Sequence, residues 1–131
     1  MKFDIAPVAK PRQTRRDRWL NPPRKCVQKY RNWSNEMRLL CLEVNFIPGD
    51  RLYLEFHLEM PKSWSKKKKA EMDGKPHQSR PDLDNMVKSL DALVAEDSGI
   101  WDLSAKKFWS YNAFIIMENK CNLENAFAEV K

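Results

Sequence analysis

Cysteine and histidine are scarce in this sequence, and it has no long apolar run. The three cysteines, Cys26, Cys41 and Cys121, are odd in number, far apart and in no Cys-x-x-Cys arrangement, and there are two histidines. These features argue against a disulfide framework and against a zinc cluster. No apolar run reaches about 18 residues and no signal-peptide pattern opens the chain, so we expect a reduced, cytoplasmic protein with no membrane segment.

The chain does have the length and apolar content of one compact domain. It contains 131 residues, of which 42% are hydrophobic. A domain of this size buries roughly two thirds of the surface of its unfolded chain, enough for a core that needs no disulfide or structural metal. We therefore expect a single domain over residues 1–131, in which residues 62–80 form a flexible basic arm with one helical turn near 65–72.

The spacing of apolar residues predicts both helices and strands. Helical segments repeat apolar residues every three or four positions, whereas strands alternate them. The predicted elements are a strand at 2–8, a helix at 26–43, a strand at 52–60, a helix at 82–95, strands at 101–109 and 113–117, and a marginal helix at 122–131. The fold class that follows is α/β in the broad sense, more narrowly α+β, with a mixed, largely antiparallel sheet packed against two main helices.

The formal net charge of +6 is unevenly distributed along the chain. Residues 1–40 sum to +8, residues 41–61 to −3, residues 62–80 to +5 and residues 81–131 to −4. Both basic blocks contain tryptophan, and cations with aromatics suit phosphates and exposed bases, although a solvated surface is the alternative. The residues that we assign to DNA binding are Arg12, Arg15, Arg16, Arg18, Lys66, Lys67, Lys68, Lys69, Lys75 and Arg80.

Several other polar and aromatic residues have simpler structural interpretations. We expect His77 to be a surface residue of a loop and His57 to form a surface ion pair with a neighbouring glutamate. Trp101 and Trp109 fit a buried face of a sheet. Cys41 is expected to be a small buried hydrophobe.

A cluster of carboxylates follows Pro81 and is the sharpest pattern in the sequence. On a helix of 100° per residue, Asp84, Lys88 and Asp91 share one stripe, and Asp82 precedes the first turn. Converging carboxylates in a basic protein suit Mg²⁺ or Mn²⁺, and an adjacent lysine can offset charge on a phosphate. A helix with an aspartate cap and an Asp84–Lys88 ion pair is the structural alternative that the spacing leaves open.

This segment resembles the RusA family of Holliday-junction resolvases, small metal-dependent endonucleases of bacteria and bacteriophages. The matching parts are Asp82, Asp84, Asn85 and Lys88, then Asp91-Ala92-Leu93, then Glu96-Asp97. The resemblance implies that Asp82, Asp84 and Asp97 bind the catalytic Mg²⁺ or Mn²⁺. It also implies that Lys88 is catalytic and assists at the scissile phosphate.

Two spacings differ from the family pattern and leave alternatives open. Lys88 and Asp91 are three residues apart rather than four, which would rotate Asp91 by about 100° and leaves its role open. The connection from Leu93 to Glu96 is short, so Glu96 or Asp102 could replace Asp97 as the third metal ligand.

The resemblance further implies a homodimer that acts on branched DNA, the four-way junction. Two symmetric cuts in one junction require two active sites related by a two-fold axis. A non-catalytic basic DNA-binding module, in which the carboxylates are structural, is the main alternative. A nuclease with another branched or single-stranded target is a further one.

Overall fold

The computed structural model describes residues 1–12, 19, 21–93 and 99–120, and within them the chain forms four strands and three α-helices. The elements in chain order are β1 (Lys2–Phe3), α1 (Lys25–Glu43), β2 (Arg51–Glu59), α2 (Lys66–Met72), α3 (Leu83–Lys88), a 3₁₀ turn (Ser89–Ala92), β3 (Asp102–Ser110) and β4 (Phe114–Asn119). This is an α+β fold, as the sequence predicts. The helix expected at 122–131 lies outside the described residues.

The four strands form one mixed sheet in the order β1-β4-β2-β3. β2 pairs with β3 in parallel and with β4 antiparallel, and β1 pairs antiparallel with β4. Two of the three pairings are thus antiparallel, which agrees with the largely antiparallel sheet predicted. The first strand is shorter than expected, because only Lys2 and Phe3 pair with β4 before the chain turns at Ile5, whose amide donates to the Phe3 carbonyl.

The chain divides into two compact units. The sheet unit comprises Met1–Pro7, Pro48–Ser79 and Glu96–Lys131, and the helix unit comprises Val8–Ile47 and Arg80–Ala95. Each described helix other than α2 belongs to the helix unit. None of the helices in the described part of the chain is long and apolar enough to span a membrane.

Buried and partly exposed residues alternate along β2, and the buried ones form the core face of the sheet unit. Leu52, Leu54 and Phe56 are fully buried, as are Ile115 and Met117 on β4. Burying each such side chain contributes about 1.5–3 kcal/mol. The predicted strand at 52–60 is therefore confirmed, displaced by one residue.

The opposite face of β2 carries a polar network. The Tyr53 hydroxyl donates to Glu55 at 2.5 Å, and His57 Nε2 lies 2.9 Å from the other Glu55 oxygen. The His57 ring stacks on Phe114 with centroids 4.0 Å apart. Burial, together with the hydrogen bond and negative charge of Glu55, raises the pKa of Tyr53 to about 12. The predicted pairing of His57 with a glutamate is confirmed, but the pair is half-buried and does not lie on the open surface.

In the helix unit, α1 buries one stripe of its surface. Val27, Tyr30, Trp33, Met37 and Cys41 are buried at spacings of three or four residues, the periodicity of an amphipathic helix. The predicted helix at 26–43 and the burial of Cys41 are both confirmed. Two leucines outside this stripe are exposed, Leu39 at 61% and Leu42 at 72%.

The lysine-rich segment contains the short helix predicted for it. Ser65 is the N-cap of α2, and its hydroxyl accepts from the Lys68 amide at 3.2 Å, a bond that stabilises the first turn of a helix. Lys68 lies over the ring of Trp64, 4.3 Å from its centroid. The flexibility expected of residues 62–80 stays a prediction.

Three expectations are corrected by the structure. His77 is 5% exposed rather than a surface residue, because its amide donates to the Lys107 carbonyl and its ring packs on Trp109. Burial, with the nearby Lys107 charge, lowers the pKa of His77. Trp101 is 68% exposed and precedes β3, whereas Trp109 is buried as predicted. The helix expected at 82–95 ends at Lys88 and continues as a 3₁₀ turn.

Candidate functional site

The two aspartates of the predicted site lie at the beginning of α3. Asp82 is the N-cap, with φ −67° and ψ 143°, and its carboxylate makes no capping hydrogen bond. Asp84 lies in the first helical turn, and its side chain is 72% exposed. Aspartates in this position interact favourably with the unpaired amides of a first turn. Capping by the Asp82 side chain, the structural explanation left open by the sequence, is not what the structure contains.

Lys88 lies one helical turn beyond Asp84 and close to it. The Lys88 Nζ atom is 3.9 Å from Asp84 Oδ2, and the lysine side chain is 60% exposed. An exposed pair at i and i+4 contributes about 0.3–0.5 kcal/mol, so stability alone gives little reason for it. Asp84 and Lys88 thus lie together as predicted, and both are open to solvent, whereas Asp91, the third residue of the predicted stripe, lies beyond the α-helix in the 3₁₀ turn.

The end of α3 is set by Ser89. Its hydroxyl donates a hydrogen bond to the Met86 carbonyl at 2.5 Å. Its backbone amide donates to the carbonyls of Met86 and Val87. A serine that bonds back into the preceding turn competes with regular helical pairing, and the next turn is 3₁₀. The helix that carries the aspartates is therefore only six residues long.

Asp91 pairs with a residue far away in the sequence. Lys10 Nζ donates to Asp91 Oδ2 at 2.7 Å, and the Lys10 amide donates to the Asn85 carbonyl at 3.0 Å. Lys10 thus joins α3 and the 3₁₀ turn that follows it. Both side chains of the pair are about one third exposed. Asp91 therefore anchors the 3₁₀ turn to Lys10, and its role in function stays open.

The third metal ligand of the predicted site is Asp97, which lies outside the described residues together with its alternative, Glu96. Across residues 1–12, 19, 21–93 and 99–120, no three His, Cys, Asp or Glu side chains form a group that could hold a metal ion.

Asp102, the remaining alternative for the third ligand, has two cationic partners. Lys120 donates to Oδ1 at 2.5 Å, and the Arg51 guanidinium donates to Oδ2 at 3.1 and 3.2 Å. The hydrogen bond from Lys120, followed by that from Arg51, lowers the pKa of Asp102. Both oxygens of Asp102 are therefore already engaged with side chains of the sheet unit.

The basic residues assigned to DNA binding are divided between the two units. Lys66, Lys67 and Lys68 are exposed on α2, Lys69 is half-buried there, and Lys75 is exposed in the following turn. Arg12 and Arg80, in the helix unit, are also exposed. Arg15, Arg16 and Arg18 lie outside the described residues.

A basic cleft on α1 was not singled out from the sequence. Arg31, Asn35 and Arg38 follow one another at helical spacing and line a cleft of about 410 Å³. The remaining lining residues are Lys10, Tyr30, Ser34 and Asp91. Three cations and one carboxylate give the cleft a formal charge of +2. The signal in the sequence is the seven-residue separation of Arg31 and Arg38, which places both on one face of a helix.

Comparison with known proteins identifies the family. The family model described as Endodeoxyribonuclease RusA matches residues 4–118, a span that contains α1, the aspartates of α3, β2, β3 and all of β4 except its last residue. No curated protein matches the chain. The match agrees with the resemblance seen around Asp82, Asp84 and Lys88. With most of its length covered, this chain belongs to the RusA family of endodeoxyribonucleases.

Proposed function

We propose that this protein is a metal-dependent, structure-selective endonuclease that resolves four-way junctions or cuts other branched DNA. The observation that carries the proposal is the pair of exposed aspartates at the start of α3, where the Asp82 carboxylate caps nothing and Lys88 lies beside Asp84. The pair stands inside the region that matches a family of endodeoxyribonucleases.

The residues at the start of α3 fit a hard divalent cation. Asp82 and Asp84 offer carboxylate oxygens, the ligands that Mg²⁺ and Mn²⁺ prefer, and the Asp82 side chain has no capping bond to give up. We assign the third ligand to Asp97, with Glu96 as the alternative. Asp102 is disfavoured because Arg51 and Lys120 already engage both of its oxygens. A bound ion would activate water and stabilise the leaving oxygen of the phosphodiester.

In this proposal, residues of the chain position the cleavage site, stabilise charge on the phosphate and restrain α3. Asp82 and Asp84 fix the position of the cleavage site at one end of α3. Lys88, whose side chain is 60% exposed, offsets negative charge as it grows on the scissile phosphate. Lys10 and Asp91 hold α3 and its 3₁₀ turn together, which limits the freedom of the aspartates.

The cleft on α1 supplies a phosphate contact in this proposal. Arg31 and Arg38 carry planar guanidinium groups, which donate in pairs to phosphate oxygens, and Asn35 between them adds an amide donor. Such contacts neutralise the DNA backbone without reading its sequence. The exposed lysines of α2 provide a second basic surface of the same kind.

We also propose that the protein acts as a homodimer, since two symmetric cuts in one junction need two active sites. The exposed Leu39 and Leu42 of α1 are the apolar surface of the helix unit that such an interface would cover.

A non-catalytic DNA-binding module is the second candidate. The Asp84–Lys88 ion pair favours it. It predicts salt-sensitive binding to branched or single-stranded DNA with no cleavage products.

The proposed activity is tested with a synthetic four-way junction in the presence of Mg²⁺ or Mn²⁺. We expect the parent protein to cut the junction and Asp84→Asn to cut it roughly 100-fold more slowly or not at all, because one metal ligand is lost. Asp73→Asn, which removes an exposed carboxylate at the end of α2, serves as the control and is expected to cut normally. Equal cutting by the parent and Asp84→Asn, or no cutting with either ion, would disprove the proposal. Cleavage of flaps or single strands in place of junctions would redefine only the target.

Replacing Lys88 separates its proposed role from simple phosphate binding. In Lys88→Ala we expect kcat to fall roughly 100-fold while the Kd for junction DNA changes by less than about twofold, because the lysine acts mainly in the transition state. Lys67→Ala on α2 is the matched control and is expected to weaken binding slightly at unchanged kcat. If DNA affinity falls as much as kcat in Lys88→Ala, so that Kd rises while kcat falls, Lys88 is a phosphate contact and has no catalytic role.

The cleft on α1 is tested through the salt dependence of DNA binding in EDTA. The double variant Arg31→Gln/Arg38→Gln is expected to bind roughly tenfold more weakly and to show a slope of log K against log salt that is smaller by about 1 to 2. Lys29→Gln lies on another face of the same helix and is expected to leave the slope unchanged. An unchanged slope in the double variant would remove the cleft from the DNA-binding surface.

A further inference from the structure

Trp101 is a large aromatic side chain held out in solvent. It is 68% exposed, although tryptophan is usually well buried. Its indole N–H donates to Asp50 Oδ2 at 2.9 Å, and its backbone amide donates to the Asp50 carbonyl at 3.0 Å. The ring is therefore fixed at its nitrogen edge and cannot turn inward without breaking a charge-assisted hydrogen bond.

One face of the indole ring is supported by a second fixed group. The Arg51 guanidinium carbon lies 5.0 Å from the ring centroid, within the range of a cation–π contact. Arg51 is in turn held by Asp102 through two of its nitrogens, and Asp102 also accepts from Lys120. An indole covered on both faces would be largely buried, so an exposure of 68% requires that the other face is open.

The described charged side chains that surround Trp101 balance. Asp50 and Asp102 contribute two negative charges, and Arg51 and Lys120 contribute two positive ones. Among the described residues, this network therefore has no excess of cations for a phosphate. What it does offer is a rigid, open aromatic face, on which any unpaired nucleobase can stack.

We propose that Trp101 is a stacking platform for an unpaired DNA base, with Asp50 and Arg51 as the residues that position its ring. The inference rests on the proposed action on branched DNA, since such substrates expose bases at or near the branch. Trp101 would recognise the exposed base by its face and would accept all four bases, because every base has a π surface.

The test compares DNA binding by the parent and by Trp101→Ala in EDTA, with fluorescence anisotropy on three probes of equal length. The probes are a mixed-sequence single strand, the same strand with several abasic sites, and a fully paired duplex. We expect Trp101→Ala to bind the intact single strand roughly 5- to 100-fold more weakly. On the abasic strand and the duplex, the variant and the parent should bind within about twofold of each other.

Further variants keep the test decisive. Trp101→Phe retains an aromatic face and should keep most of the affinity, whereas Trp101→Leu, apolar but without a π surface, should behave like Trp101→Ala. The slope of log K against log salt should stay unchanged in all three Trp101 variants, because stacking releases no counterions. Tyr111→Ala removes another exposed ring of the sheet unit and is expected to bind every probe as the parent does.

Three results would overturn the inference. Unchanged affinity of Trp101→Ala and Trp101→Leu for the single strand would do so, and so would an equal loss on all three probes. A change in oligomeric state at unchanged DNA affinity would assign Trp101 to a protein contact instead. Because junction cleavage is assayed separately, these results leave the proposed nuclease activity standing, whereas a parent protein that binds no DNA at all overturns both.

Discussion

Carboxylates and DNA phosphates repel each other, and this repulsion governs any account of the aspartates on α3. Asp82 and Asp84 lie exposed at the start of the helix in a chain of net charge +6. Placed there without a counter-ion, they weaken DNA binding. A divalent cation held by the same oxygens reverses the sign of the local field and turns a repulsive site into one that attracts a phosphate. In the proposed function, a bound cation reconciles the exposed aspartates with the net positive charge of the chain.

The local fold prepares this site by keeping α3 short and tethered. Ser89 ends the regular helix by bonding back to Met86, and Lys10 joins the two ends of the segment through Asn85 and Asp91. Met86 and Leu90 are buried beneath the segment's outer surface. Asp82 and Asp84 therefore belong to a constrained segment of backbone, and their side chains are exposed to solvent. Constraint of this kind lowers the entropic cost of holding ligands in position.

The sequence alone could predict what depends on local periodicity. The alternation of Leu52, Leu54 and Phe56 identifies β2, and the spacing from Val27 to Cys41 identifies α1, because burial of one face imposes those periods. The exposed Asp84–Lys88 stripe follows from the same geometry. Each of these features depends only on the pattern of residues that lie close together in the sequence.

The features that could not be predicted depend on distant partners or on position in the sheet. Asp91 pairs with Lys10, 81 residues earlier, and no spacing rule reaches so far. His77 is buried because its loop bonds to β3. The sequence pattern places Trp101 in a buried alternation, but β3 is the end strand of the described sheet and the residue lies just before it, where alternation no longer guarantees burial.

The central claim is that the carboxylates of α3 bind a hard cation, and Mn²⁺ titration followed by calorimetry or by electron paramagnetic resonance tests it most directly. The account predicts saturable Mn²⁺ binding by the parent that weakens at least roughly tenfold in both Asp82→Asn and Asp84→Asn and is unchanged in Asp73→Asn. If the parent shows no saturable binding, or if all four proteins bind Mn²⁺ alike, the carboxylates are structural and the hydrolytic account is wrong.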